Sequence, residues 1–244
     1  MHRVTFRKNS PTMNRASDMN HTGSPWRSQA LQWGVVAVAS AVLLVLEVAA
    51  HDYSVLPADL AVTRLLQSDT NTQVFRFMTA VSWFGYAPQD VLVQLAICAL
   101  LIAVKRKVEA LFVLLSATAD LLSLVLKYLV ARVRPSANLV HVAVVLKSPS
   151  FPSGHTVHYT VLFGFLAYVL VRQFSPSPLR TMLITLCVAL VSLIGISRIY
   201  LGEHWLTDVI GGYIFGALCL LALIRLYQRV LAARAHVSVA RTGP

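Results

Sequence analysis

Two histidines, one aspartate, three fixed cations and a Pro-Ser-Gly turn stand at the ends of strongly apolar segments of this 244-residue chain. They fall in three clusters: Lys127…Arg134-Pro135, Pro152-Ser153-Gly154-His155 and Ser197-Arg198…His204…Asp208. Ionisable side chains at membrane depth are costly to keep, so their presence points to function. The inventory is what handling a phosphate ester requires: fixed positive charge for the dianion, with imidazoles and a carboxylate for proton transfer.

The elements that must carry these residues are apolar. With 57% hydrophobic and 13% charged residues, the composition calls for lipid rather than a water-facing shell. Apolar runs at about 33–50, 88–104, 110–130, 156–171, 179–196 and 208–226 each approach the roughly 17 to 25 residues that span a bilayer as a helix. The expected fold is all-α, with six transmembrane helices. Residues 1–28 are polar and basic and read as a disordered tail, 29–230 as the membrane domain and 231–244 as a cytoplasmic tail.

Between the first two runs, Asp59–Leu66 and Val74–Met78 have helical apolar spacing but are too short and charged to cross, so they are expected at the interface. Pro57 is placed to start the first and Gly85 to end the second. The first run superficially resembles a signal peptide, but its long leader and internal Glu47 argue for retention.

Net charge is +11, yet the basic residues sit in tails and short loops rather than on one amphipathic face, so orientation explains them better than nucleic acid does. With six crossings, 14 of the 21 Lys and Arg residues lie on the side of the two termini, which should be cytoplasmic. The ends of the third and fifth crossings and the starts of the fourth and sixth then emerge together on the opposite face. All three clusters meet there.

The order and internal spacing of Lys127-x6-Arg134-Pro135, Pro152-Ser153-Gly154-His155 and Ser197-Arg198-x5-His204-x3-Asp208 resemble the three-part signature of the type 2 phosphatidic acid phosphatase (PAP2) family. The signature covers residues 127–208; the N-terminal tail and residues 51–87 lie outside it. The resemblance implies a metal-independent phosphatase with no cofactor, in which His204 attacks phosphorus and His155 protonates the departing oxygen.

The residues suit that scheme. His204 and Asp208 are four apart at the start of the last helix, so the carboxylate can hold one ring nitrogen while the other faces phosphorus. Ser153 can cap the fourth crossing, Gly154 lets backbone approach a ligand, and the first N–H groups of the helix favour an anion. Pro135 forces Arg134 out of helical geometry, above Lys127, and with Arg198 the two make a tripositive cradle.

Other polar residues read as structural. Asp120 is either a partner of the site or a polar link between helices, and His158 is a packed histidine that could face the pocket. His141 and Lys147 could touch a headgroup. Cys98, Cys187 and Cys219 lie in apolar runs and imply no disulfide framework, while Trp33, Trp83 and Trp205 fit an aromatic belt. The partners expected are the bilayer and a lipid phosphate reaching the site sideways. Phosphatidate, phosphatidylglycerol phosphate and undecaprenyl diphosphate are not separated by sequence, nor is the oligomeric state fixed. A phosphotransferase on the same scaffold, a vanadate-type haloperoxidase and a non-catalytic lipid-phosphate binder remain as alternatives.

Overall fold

The computed structural model describes residues 25–68 and 71–241, so most of the expected basic tail lies outside the described residues. Among the described residues there are nine helices and no strand: α1 (Pro25–Asp52), α2 (Pro57–Leu66), α3 (Thr72–Trp83), α4 (Gln89–Ala103), α5 (Lys107–Leu115), α6 (Ala117–Val130), α7 (Gly154–Gln173), α8 (Pro178–Tyr200) and α9 (Leu206–Arg241). The chain divides into two units, Met1–Val38 and Ala39–Pro244. The described part of the first is the opening half of α1, which exposes Leu31, Trp33, Val35 and Val38. The second carries all three clusters.

Among the described residues, five spans are long and apolar enough to cross a bilayer: Gln29–Asp52, Lys107–Val130, Gly154–Gln173, Pro178–Tyr200 and Leu206–His236. The sixth expected crossing, α4, has 15 residues, about 22 Å at 1.5 Å per residue, and is shorter than any of the five spans. The span Lys107–Val130 is broken at Ser116 into α5 and α6. Gln94 of α4 fills the break, its amide donating to the Val113 carbonyl at 2.7 Å and to Ser116 Oγ at 3.1 Å. A polar residue in the middle of an apolar run thus satisfies backbone that a broken helix would leave bare in lipid.

Polarity is distributed inside-out. On α6 the buried stripe is Ala119, Ser123, Lys127 and Val130, while Leu121, Leu122, Val125, Tyr128 and Leu129 are exposed. An apolar outer face with serine and lysine turned inward suits a lipid surround. At the centre stands α7, with Val157, Tyr159, Val161, Leu162 and Phe165 in the main core and its longest interfaces against α8 and α9. The approach of α9 uses Gly212 and Gly216, where an added Cβ would lie 3.0 Å from Thr156 Cβ and 2.9 Å from Thr160 Cβ. Small residues four apart let two membrane helices pack backbone to backbone. This contact fixes the starts of α7 and α9 relative to each other, and both starts carry site residues.

Both short helices expected in 51–87 are present, with Pro57 opening α2, and both are packed into the molecule: α2 against α9 and α8, α3 against α8. α3 ends at Trp83, before Gly85. Helix α9 continues to Arg241, through the stretch expected from sequence to be a tail. Asp120 is the inter-helix link, its carboxylate 2.9 Å from His158 Nδ1, and His158 is buried. Trp205 does not belong to an aromatic belt: it is fully buried, and its indole N–H donates to the Val133 carbonyl at 3.2 Å.

Candidate active site

Helix α6 stops before Pro135 can act on it. Ala131 adopts a left-handed conformation (φ 53°) and its N–H returns to the Lys127 carbonyl at 2.8 Å, so Arg132 and Arg134 leave on an irregular segment that ends at Ser153. Lys127 is buried, and its ammonium donates to the carbonyls of Pro149 (3.1 Å), Ser150 (3.1 Å) and Pro152 (2.6 Å). Three donors meet three acceptors, which clamps the approach to His155. Arg134 donates to the Ser148 carbonyl (2.6 Å) and the Glu203 carbonyl (2.6 Å), and one guanidinium nitrogen lies 3.2 Å from His204 Nε2. Burial and the neighbouring Arg198 pull its pKa down to about 10, which leaves it charged at neutral pH.

An arginine N–H can only donate, so His204 Nε2 is the accepting nitrogen and the ring proton sits on Nδ1. That nitrogen faces Asp208 Oδ2 and Ser150 Oγ, each at 3.5 Å. Burial first, then Arg134, Lys127 and Arg198, push the His204 pKa well below the usual imidazole value, so the ring is neutral. His204 belongs to the turn before α9, not to the helix. Asp208, in the first turn of α9, is held by the Ser150 hydroxyl, by the Trp205 N–H (2.8 Å) and by Arg132 (2.6 Å). The Trp205 contact is the carboxylate half of a capping box.

Arg198 is fully buried, and it is not the bare cation expected for a tripositive cradle. It pairs with the Glu203 carboxylate, donates to Ser82 Oγ (3.1 Å) and Tyr86 Oη (2.9 Å), and lies 5.1 Å from the centre of the Tyr86 ring. The Tyr86 phenol donates to Glu203 at 2.5 Å; burial raises its pKa and keeps it protonated. The His155 ring meets Tyr86 edge-on at 4.6 Å, and its buried Nε2 has no hydrogen-bond partner among the described residues. A buried imidazole nitrogen without a partner is a feature that packing alone does not explain.

Ser153 occupies the N-cap position of α7, but its side chain does not cap, contrary to the expectation from sequence. Its Oγ accepts from Thr156 Oγ1 at 3.0 Å, and its N–H donates to the Asp208 carbonyl at 3.0 Å, tying the start of α7 to that of α9. A Cβ on Gly154 would sit 3.5 Å from Lys127 Cε, so this backbone runs beside the lysine stem. The structure therefore brings together all eight residues singled out from sequence: Lys127, Arg134, Ser153, Gly154, His155, Arg198, His204 and Asp208. It adds Asp59, Ser82, Tyr86, Arg132, Ser150 and Glu203, half of them from the 51–87 segment that the motifs leave out. Lys147 and His141 are not part of this centre; His141 is exposed, its ring edge-on to Phe75 at 6.0 Å.

The apolar spans and the buried polar centre at their ends define a multi-pass membrane protein. The sequence matches the PAP2 superfamily over residues 107–232, and the chain belongs to that family. It is 33% identical over 178 residues to phosphatidylglycerophosphatase B of Bacillus subtilis (strain 168), an alignment covering 72% of this chain and 86% of the relative. Among solved structures, it resembles the first transmembrane PAP2 type phosphatidylglycerolphosphate phosphatase from Bacillus subtilis, with a TM-score of 0.69 and 28% identity, over 80% of this chain and 96% of that one. Aquifex aeolicus LpxE shares the fold, with a TM-score of 0.57 at 24% identity, over 70% of this chain and 96% of the other.

Proposed function

We propose that this protein is an integral membrane lipid phosphate phosphatase that works through a phosphohistidine at His204. The observation that carries the reading is the pairing of a neutral His204, whose accepting Nε2 lies 3.2 Å from Arg134, with the orphaned Nε2 of His155 beside Tyr86 and Arg198. His204 Nε2 attacks phosphorus while the uncapped first turn of α7 faces the equatorial oxygens and the nearby charges of Arg134 and Lys127 stabilise the negative charge that spreads over them in the transition state. The bond from phosphorus to the lipid oxygen breaks, and His155 gives that oxygen a proton. Water then attacks the phosphohistidine, His155 takes its proton, and inorganic phosphate leaves with His204 restored. Asp208 stabilises the Nδ1–H imidazolium of the intermediate.

The helices around the centre turn apolar side chains outward, as on α6, which suits a substrate that keeps its tail in hydrocarbon and brings only its phosphate to the site. Phosphatidylglycerol phosphate is the first candidate substrate, because the curated relative and the matched solved structure, both from Bacillus subtilis, carry its name. The chain is read as a protein of a bacterial cytoplasmic membrane, with both termini inside and the site on the outer face. Four of the seven cations on the site side, Lys127, Arg132, Arg134 and Arg198, are engaged in the centre, which sharpens the charge asymmetry that supports this orientation. Phosphate release by the purified protein from dispersed lipid mono- and diphosphates tests the reading. His204→Ala and His155→Ala should be nearly inactive on every substrate; turnover by His204→Ala would overturn it.

A further inference from the structure

Asp59 lies in the first turn of α2, where an acidic residue ordinarily serves its own helix N-terminus. Here both carboxylate oxygens leave α2. One accepts from Arg132 at 2.6 Å and from the Thr207 hydroxyl at 2.9 Å; the other accepts from the Thr207 N–H at 2.8 Å, in the first turn of α9. The second guanidinium nitrogen of Arg132 donates to Asp208 at 2.6 Å and to Thr207 Oγ1 at 2.5 Å. The side chains of Asp59, Arg132 and Asp208 are all fully buried. An arginine fork with a carboxylate on each tine fixes Asp208 in direction as well as distance.

The charges matter as much as the geometry. Arg132 paired with Asp208 alone would cancel the negative charge that the imidazolium of His204 needs. With Asp59 on the other tine, the three groups carry one net negative charge, which counterbalances the positive imidazolium ring of the phosphohistidine. In a buried setting, where charges are weakly screened, that difference acts directly on the chemical step.

We propose that Asp59, acting through Arg132, is a positioning residue for the nucleophile: it locks Asp208 beside His204 and supplies the negative charge that Arg132 would otherwise remove. The proposal rests on the phosphohistidine reading and deepens it. It gives α2, a helix outside the sequence signature, a part in the reaction without contact with substrate.

The test is steady-state kinetics on a dispersed short-chain lipid phosphate with wild type, Asp59→Asn, Asp208→Asn, the double variant and His204→Ala, each with its melting temperature in detergent. Asp59→Asn should lower kcat about 10- to 100-fold, the range over which outer partners of a functional histidine act, and leave KM nearly unchanged. In the Asp208→Asn background the same change should alter kcat by no more than about twofold, because the residue it acts through is already lost. If Asp59→Asn does not fold, Arg132→Lys, which keeps the charge and loses the fork, should show the same kcat loss and the same dependence on Asp208. Wild-type kcat in the folded variant, or a full multiplicative loss on top of Asp208→Asn, would overturn the proposal. An inactive wild type or an active His204→Ala would instead bring down the phosphohistidine reading, and the proposal with it.

Discussion

Gly85 sits in the turn after α3, and an added Cβ would lie 3.0 Å from both Cγ and Nε2 of His155 and closer still to Cδ2. Carbon atoms pack comfortably at about 3.5 to 4.0 Å, so in Gly85→Ala the imidazole must retreat by roughly 1 Å. It has little freedom to do so while keeping its place, since the Tyr86 ring stands 4.6 Å away on the next residue. A misplacement of about 1 Å in a catalytic group costs about 100-fold in rate, or about 2.7 kcal/mol of barrier. Because His155 is assigned to protonate the departing oxygen, the loss should depend on the leaving group. With an alkyl lipid phosphate, kcat/KM, which reports the steps up to departure of the leaving group, should fall about 100-fold; with an aryl phosphate such as p-nitrophenyl phosphate, whose leaving group needs little protonation, the fall in kcat/KM should be much smaller. Equal losses of kcat/KM on both substrates in a folded variant would refute the acid role, and wild-type kcat/KM on the lipid would refute the packing argument.

Further outcomes are expected. Since the His204 ring is held neutral well below the usual imidazole range, the acid limb of kcat/KM, corrected for substrate ionisation, should fall below pH ~6.5; a limb at or above that value would contradict the neutral nucleophile. The same shift means that unfolded chains bind more protons than folded ones below pH ~6.5, so melting temperature should drop with pH there, and His204→Ala should flatten that drop. Gly202 has φ +65°, and a Cβ would run into the His141 carbonyl, so Gly202→Ala should destabilise the protein by more than the ~1–2 kcal/mol of left-handed strain and disturb the turn carrying Glu203 and His204. An unchanged melting temperature would show that this turn is not constrained as described. EDTA should leave turnover intact while vanadate inhibits, because Lys127 and Arg134 supply the positive charge; a requirement for added magnesium would count against that division of labour.

The residues of the candidate site are legible because their types and spacings are unusual in apolar surroundings. Lysine at a buried helix end, histidine in a Pro-Ser-Gly turn and aspartate four after histidine are together hard to account for by packing alone. Their supports are not legible, for separate physical reasons. Asp59 reads as an ordinary helix-start acid, and only the tertiary fold turns it towards Arg132. Arg132 reads as one more cation beside Arg134. Glu203 adjoins His204, yet nothing local says that its carboxylate turns back to Arg198. The spans follow from hydropathy, whereas the break at Ser116 does not, since one serine barely dents an apolar run; Gln94, a polar residue at mid-run, is the available signal. Trp205 reads as interfacial from its place near a helix end, but its N–H finds a partner in Val133 and the ring is buried.

The central claim is that His204 becomes phosphorylated in the course of turnover. Incubating the protein with a lipid phosphate labelled at phosphorus, then quenching under alkaline conditions and mapping the labelled peptide, measures this directly. The label should be acid-labile, should sit on His204, and should be missing in His204→Ala. Stoichiometric label on any other residue, or lipid hydrolysis by His204→Ala at the wild-type rate, would contradict the account.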